Sequence, residues 1–115
     1  MAKKTFVSSI RDVISNTSSQ DLEFRPARSD QLICYDRIIA LDETANPTLI
    51  TIGLKRGTSE VVLMGGTPAA VGQAIVAEGK FFAPGDYRPF ARIIGGSSGD
   101  KVVLSVLGYT TDLPD

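Results

Sequence analysis

Residues 79–109, GKFFAPGDYRPFARIIGGSSGDKVVLSVLGY, constrain the fold more than any other part of the chain. Every apolar run in this stretch is short, and turn residues bound each one. Phe81, Phe82 and Ala83 run into Pro84-Gly85-Asp86. The next run, residues 90–94, closes in Gly95-Gly96-Ser97-Ser98-Gly99-Asp100, and residues 102–107 follow. Glycine supplies the positive φ that a tight turn needs, and proline presets the φ beside it. Runs of this length, interrupted this often, form strands rather than helices.

Upstream the pattern continues. In residues 48–54, Ile50, Ile52 and Leu54 alternate with Thr51 and Gly53, which puts the aliphatic side chains on one face. Residues 55–59 read as a hairpin with Lys55 and Arg56 at a solvated tip, and residues 60–64 return as a strand. Residues 21–28 alternate Leu22 and Phe24 with Glu23 and Arg25, and Pro26 ends the strand there or soon after. Arg28-Ser29-Asp30 is a turn. Residues 31–41 are apolar on both parities, with Leu32, Cys34, Ile38 and Ala40 on one and Ile33, Tyr35, Ile39 and Leu41 on the other. Such a strand needs cover on its second face, from a loop, a helix or another subunit. Residues 101–109 repeat the problem. Val102, Leu104 and Val106 share one side; Val103, Ser105, Leu107 and Tyr109 share the other.

Three segments need separate treatment. Residues 42–47, DETANP, lack the spacing and the glycine of an EF-hand and read as a solvated turn. In residues 65–79, Thr67 can cap a helix that starts at Pro68 and closes at Gly79, which makes Gly65, Gly66 and Thr67 a candidate anion site. The competing reading is a loop over 65–72 and a strand over 73–78 that continues to 83. Gly72 and the β-branched Ile75 and Val76 favour the strand. Pro89 places the start of the strand over 87–94 at a sheet edge or a bulge. At the N-terminus, Phe6, Ile10, Val13 and Ile14 recur at helical spacing, and residues 16–20 form a polar hinge. The chain therefore divides into a helical arm over 1–20 and a β domain over 21–115. The arm either packs on its own domain or docks on a neighbour, because a helix this short is marginal alone. About seven or eight antiparallel strands with frequent turns make an all-β antiparallel sandwich or jelly roll, with a short N-terminal helix or arm.

Composition narrows the function. The 115 residues include no histidine, so His-based triads and His-ligated metals are excluded. Cys34 is the only cysteine. It reads as a small buried hydrophobe with no basic partner to make it a nucleophile. A formal net charge of −1, with acids and bases interspersed, gives no broad grip on nucleic acid or anionic membrane. The opening MAKKTF has no long apolar segment and no cleavage site, and reads as no signal peptide.

Arg37-Ile38-Ile39, Asp42-Glu43-Thr44 and residues 50–54 (ITIGL), then residues 79–86, Ala91-Arg92, Gly95-Gly96 and residues 99–104, carry a resemblance. Over residues 21–110 the chain resembles small jelly-roll structural proteins of tailed bacteriophages, of the capsid decoration (cement) or spike type. The resemblance implies a non-enzymatic virion protein, commonly trimeric, on the capsid surface, made in the bacterial cytoplasm. Its implied partners are its own copies, as a homotrimer, and the major capsid protein. No cofactor, metal, nucleic acid or membrane is implied. The residues expected at oligomer or partner interfaces are Phe6, Ile10, Val13 and Ile14 of the arm, with Tyr35, Ile39, Leu107 and Tyr109 of the two-sided strands. Two other classes compete. One is a carbohydrate- or receptor-binding module of a fibre or spike, weakened by the absence of tryptophan. The other is a small α/β enzyme built on a helix over 67–78, which lacks any nucleotide-binding glycine motif.

Overall fold

The computed structural model describes residues 4–25 and 31–112. Among these residues it forms eight strands and no helix. The strands are β1 (Lys4–Val13), β2 (Ser19–Glu23), β3 (Gln31–Asp42), β4 (Leu49–Arg56), β5 (Ser59–Gly66), β6 (Ile75–Pro84), β7 (Arg88–Ile94) and β8 (Lys101–Asp112). They build two four-stranded sheets, ordered β1-β8-β3-β6 and β2-β7-β4-β5. Each first-half strand pairs antiparallel with its mirror in the chain: β1 with β8, β2 with β7, β3 with β6, β4 with β5. This is a long hairpin ribbon rolled onto itself, the jelly-roll arrangement of a β-sandwich. The core between the sheets is aliphatic, with Ile33, Ile38, Ile50, Ile52, Ile93, Leu104 and Val106 buried in it.

The expected N-terminal helix is not formed. Residues 4–13 are an edge strand, laid along β8 from Lys4↔Thr110 to Val13↔Lys101. Phe6, Ser8, Ile10 and Asp12 share one side of that strand. The two polar residues in the row hide its alternation, while the spacing of the apolar ones imitates a helical stripe. The long ladder to β8 and the β-branched Thr5, Val7, Ile10 and Val13 favour the strand.

Other expectations are refined. Strand β2 starts at Ser19 and ends at Glu23, two residues earlier at its start than the alternation indicates. The turn expected at Arg28-Ser29-Asp30 lies outside the described residues. Residues 67–74 form a loop and β6 continues to Pro84, so the helical alternative is not formed. Pro89 is not at a sheet edge, since β7 lies between β2 and β4. Its carbonyl accepts from Phe24 N–H at 3.1 Å, so the donor it lacks would face the same side, where β2 has already ended at Glu23.

The two-sided appearance of residues 31–41 has a local cause. The register of β3 slips between Tyr35 and Arg37. Against β8, Asp36 is the extra residue of a bulge, and the parity facing the core changes there; against β6 the extra residue lies on β6, between Glu78 and Phe81. Ile33 and Tyr35 face inward before it; Ile38, Ala40 and Asp42 face inward after it. Gly108 lies opposite Tyr35, and a Cβ at that position would meet the Cys34 carbonyl oxygen at 2.0 Å. The bulge therefore requires glycine on the facing strand.

Candidate interaction surface

The outer faces of the two sheets differ in chemistry. On the β2-β7-β4-β5 face, three acids and three bases interlock around one aromatic ring. The Arg92 guanidinium donates to Asp21 through Nε (2.8 Å to Oδ1) and Nη2 (2.9 Å to Oδ2). It also donates to Glu60 through Nη1 (3.0 Å to Oε1) and Nη2 (2.7 Å to Oε2). Lys55 Nζ bridges Asp21 and Glu23, and Arg88 Nε donates to Glu23 Oε2 at 3.0 Å. Phe90 lies beneath this lattice and is fully buried, with Lys55 Nζ 5.2 Å and the Arg92 guanidinium carbon 5.3 Å from its ring centre. Gly53, its register partner, makes room for the ring: a Cβ there would lie 2.8 Å from Phe90 Cε1.

The titration of this lattice follows from its pairs. Burial pushes the Asp21 carboxyl up, but the hydrogen bonds and charge of Arg92, with Lys55, outweigh it and hold the group below its ordinary value. Burial likewise opposes, and Lys55 and Arg88 overcome, in Glu23. Glu60 is lowered chiefly by its hydrogen bonds from Arg92. The Arg92 guanidinium is raised in turn, first by Glu60 and then by Asp21. Lys55 is thus a member of a lattice rather than part of a solvated tip. Only Arg56 sits at the tip, stacked on Tyr87 at 5.0 Å and 3.5 Å from Asp86. Sequence reasoning missed the lattice, although Asp21 and Glu23 share a parity in β2, as Arg88 and Arg92 do in β7. Opposite charges on one parity of two strands are a usable signal once the pairing is known.

The outer face of β1-β8-β3-β6 is largely apolar. Register places its side chains in rows across the strands. One row is Thr5, Tyr109, Cys34, Phe82; the next is Val7, Leu107, Arg37, Glu78; then Ser9, Ser105, Ile39, Val76; then Arg11, Val103, Leu41. Val7 is 76 % exposed and Phe82 55 %. Four of its charges pair across strands, Arg37 with Glu78 at 3.2 Å and Arg11 with Glu43 at 2.9 Å, while Lys80 and Lys101 share the outer parity and are exposed. Ser9 and Ser105 satisfy each other at 2.6 Å. Cys34 is buried on this outer side, between its row neighbours Tyr109 and Phe82.

The expected interface residues fall into two groups. Ile39, Leu107 and Tyr109 lie on the outer face of β1-β8-β3-β6, all half-buried, and Val13 is exposed on it. Phe6, Ile10, Ile14 and Tyr35 face the other way, into the sandwich. Phe6 meets Tyr35 edge-on with ring centres 6.2 Å apart, and burial pushes the Tyr35 hydroxyl up to about 12. The most exposed members of the face, Val7 and Phe82, were missed: Val7 lies in an edge strand read as a helix, and the side Phe82 takes depends on the pairing of β6 with β3. Gly65 and Gly66 end β5 and Thr67 donates its hydroxyl to the Thr48 carbonyl, so no helix N-terminus forms to hold an anion. Among the described residues, no three His, Cys, Asp or Glu side chains cluster as metal ligands.

No family model matches this chain, and no curated protein matches it. Solved structures align with it over nearly its whole length. A chain from the disulfide-linked pili of Bacillus endospore appendages aligns at 9 % identity and TM-score 0.48, over 99 % of this chain and 93 % of that one. The Drosophila NLP core, described in terms of pentamer formation and histone binding, aligns at 8 % identity and TM-score 0.43, over 97 % of this chain and 99 % of its own. A chain of infectious bursal disease virus, Gx strain, aligns at 13 % identity and TM-score 0.31; 95 % of this chain covers 32 % of that longer one. At identities and scores this low, the likenesses carry nothing about what this chain binds.

Proposed function

We propose that this protein is a non-enzymatic structural module that assembles with copies of itself through the outer face of β1-β8-β3-β6. The observation that carries the reading is the contrast between the faces. One carries a neutral ion lattice over β2, β7 and β4, with Val61, Val62 and Met64 exposed along β5; the other sets Val7, Phe82, Leu107, Ile39 and Val76 in rows whose two cross-strand charge pairs neutralise themselves. Exposed apolar area of this kind marks an association surface on a small domain. The finer reading is a capsid decoration (cement) protein of a tailed bacteriophage, a homotrimer seated on the major capsid protein of the virion surface. That reading rests on the sequence resemblance over residues 21–110. A sugar-binding module has less support: Tyr35 is in the core and Tyr87 is covered by Arg56.

Light scattering at several concentrations tests the assembly. The wild-type chain is expected at a multiple of its 12.3 kDa mass. Val7→Glu with Phe82→Glu is expected to give a folded monomer, because both side chains are exposed in the single chain. A wild-type monomer at every concentration overturns the reading. Co-sedimentation with undecorated phage heads tests the finer one, and no binding by a wild-type oligomer removes it while leaving self-assembly standing.

A further inference from the structure

One end of the sandwich gathers four loops: residues 14–18, 43–48, 67–74 and 95–100. Backbone bonds tie them together. Ile14 N–H donates to the Asp100 carbonyl at 2.8 Å and Gly99 N–H to the Ile14 carbonyl at 2.9 Å. Glu43 N–H reaches the Lys101 carbonyl at 2.7 Å, and Gly72 N–H reaches the Asp42 carbonyl at 3.1 Å. Lys101 N–H donates to Thr44 Oγ1 at 3.0 Å.

Two aspartates are enclosed at this junction, Asp42 at 1 % exposure and Asp100 at 3 %. Asp42 Oδ1 accepts from the N–H groups of Thr44 and Ala45, each at 2.9 Å, and Asp100 Oδ2 accepts from Ser97 N–H at 3.0 Å. Each carboxyl therefore orders its own loop. Asp42 Oδ2 is buried and has no donor. Register sets Asp42 opposite Val102, two residues along β8 from Asp100, and the Asp100 carboxyl is its charged neighbour. Two enclosed carboxylates side by side repel, and a buried acceptor without a donor is costly. A single proton between them removes both penalties.

The surrounding charges do not supply another solution. Strand β1 brings Arg11 and Asp12, β3 and its loop bring Glu43, and β8 brings Lys101. Arg11 is taken by Glu43, Asp12 accepts from the Gln20 amide at 3.2 Å, and Lys101 is exposed. The loops 14–18 and 67–74 carry no titratable side chain. Among the described residues, no base forms an ion pair with either aspartate. Burial first, and then the Asp100 neighbour, push the Asp42 carboxyl above its ordinary value, against the opposing pull of the Ala45 and Thr44 N–H groups.

We propose that Asp42 and Asp100 are an acid latch: they share one proton between the β3–β4 and β7–β8 loops, holding that end of the sandwich closed in mild acid and loosening it as pH rises. The sign follows from linkage. The folded chain holds this proton more tightly than the unfolded chain does. The stabilisation is complete below the ordinary aspartate value of 3.8 and is lost as pH climbs through the higher folded value. The latch concerns the end of the molecule, not the outer sheet face, so it stands or falls independently of the assembly.

Carbon-13 NMR of the aspartate carboxyls in the wild-type chain, with thermal melts of wild type and Asp100→Asn across the same pH series, tests it. One of the two carboxyls is expected to titrate above 3.8. The side-chain amide that Asp100→Asn introduces can donate to Asp42 Oδ2 at every pH. The variant is therefore expected to melt higher than wild type above the folded value and to lose the decline that wild type shows as pH rises through it. Both carboxyls titrating at or below the ordinary value overturns the latch, whether or not the variant folds. So does an Asp100→Asn protein that keeps the wild-type decline with rising pH. A third arm adds calcium chloride in alkaline buffer: no change in the wild-type melt agrees with a shared proton. A calcium-dependent rise that Asp100→Asn abolishes overturns the proton in favour of a bridging cation.

Discussion

At the residue scale, two glycines of β4 and its hairpin make opposite demands. A Cβ at Gly53 would lie 2.2 Å from the Val61 carbonyl oxygen and 2.8 Å from Phe90 Cε1. Neither the neighbouring backbone nor the roofed ring can yield easily. Gly53→Ala is expected to cost roughly 2–3 kcal/mol in a urea melt, the scale of overpacking in a tight site. Gly57 instead has a φ of 58° and open space around it, so Gly57→Ala is expected to cost about 1–2 kcal/mol from backbone strain alone. The alternation of Ile50, Ile52 and Leu54 was legible because all three side chains reach one core, and all three are buried. Lys55 was not legible. Its place beside Asp21 and Glu23 depends on β2 and β4 both flanking β7, a proximity that no local pattern records.

At the element scale, β1 decides how the N-terminal residues are understood. Read as a helix, Phe6, Ile10, Val13 and Ile14 form one docking stripe. As a strand, Phe6 and Ile10 pack against the core, Ile14 is enclosed beyond the strand end, and Val13 points outward. The double change Phe6→Ser, Ile10→Ser is therefore expected to lower stability by roughly 2–4 kcal/mol, as for truncated core side chains. A urea midpoint unchanged from wild type would show that β1 contributes little to the core. The β3 bulge is the second element-level device. It turns a strand that reads as apolar on both sides into one with a core row and an outer row, and Gly108 opposite it leaves room for the crossing.

At the scale of the molecule, two carboxyl systems act against each other. Asp21, Glu23 and Glu60 are held below their ordinary values by Arg92, Lys55 and Arg88, so their contribution is present above those values and is lost as pH falls through the folded ones. The Asp42–Asp100 pair acts in the opposite direction. Thermal melts are expected to show a stability maximum between the two titrations, with an acid limb that flattens when Arg92 is changed to Met, because the carboxyls then lose the partner that lowers them. An acid limb identical in Arg92→Met and wild type would show that the lattice adds nothing to folding. By itself, the sequence determined the strand-rich class, most of the turns and the aliphatic core rows, because those depend on residues close in the chain: glycine conformations, proline, and period-two burial. Only the tertiary structure decided that residues 4–13 are a strand, that Pro89 is tolerated inside a sheet, and that one sheet carries the ion lattice while the other carries rows with Val7, Leu107, Ile39 and Phe82. Each of these depends on which strand lies beside which, and β1 meets β8 across nearly the whole length of the chain. The pairing energy that settles such a choice is gained only when both partners are present.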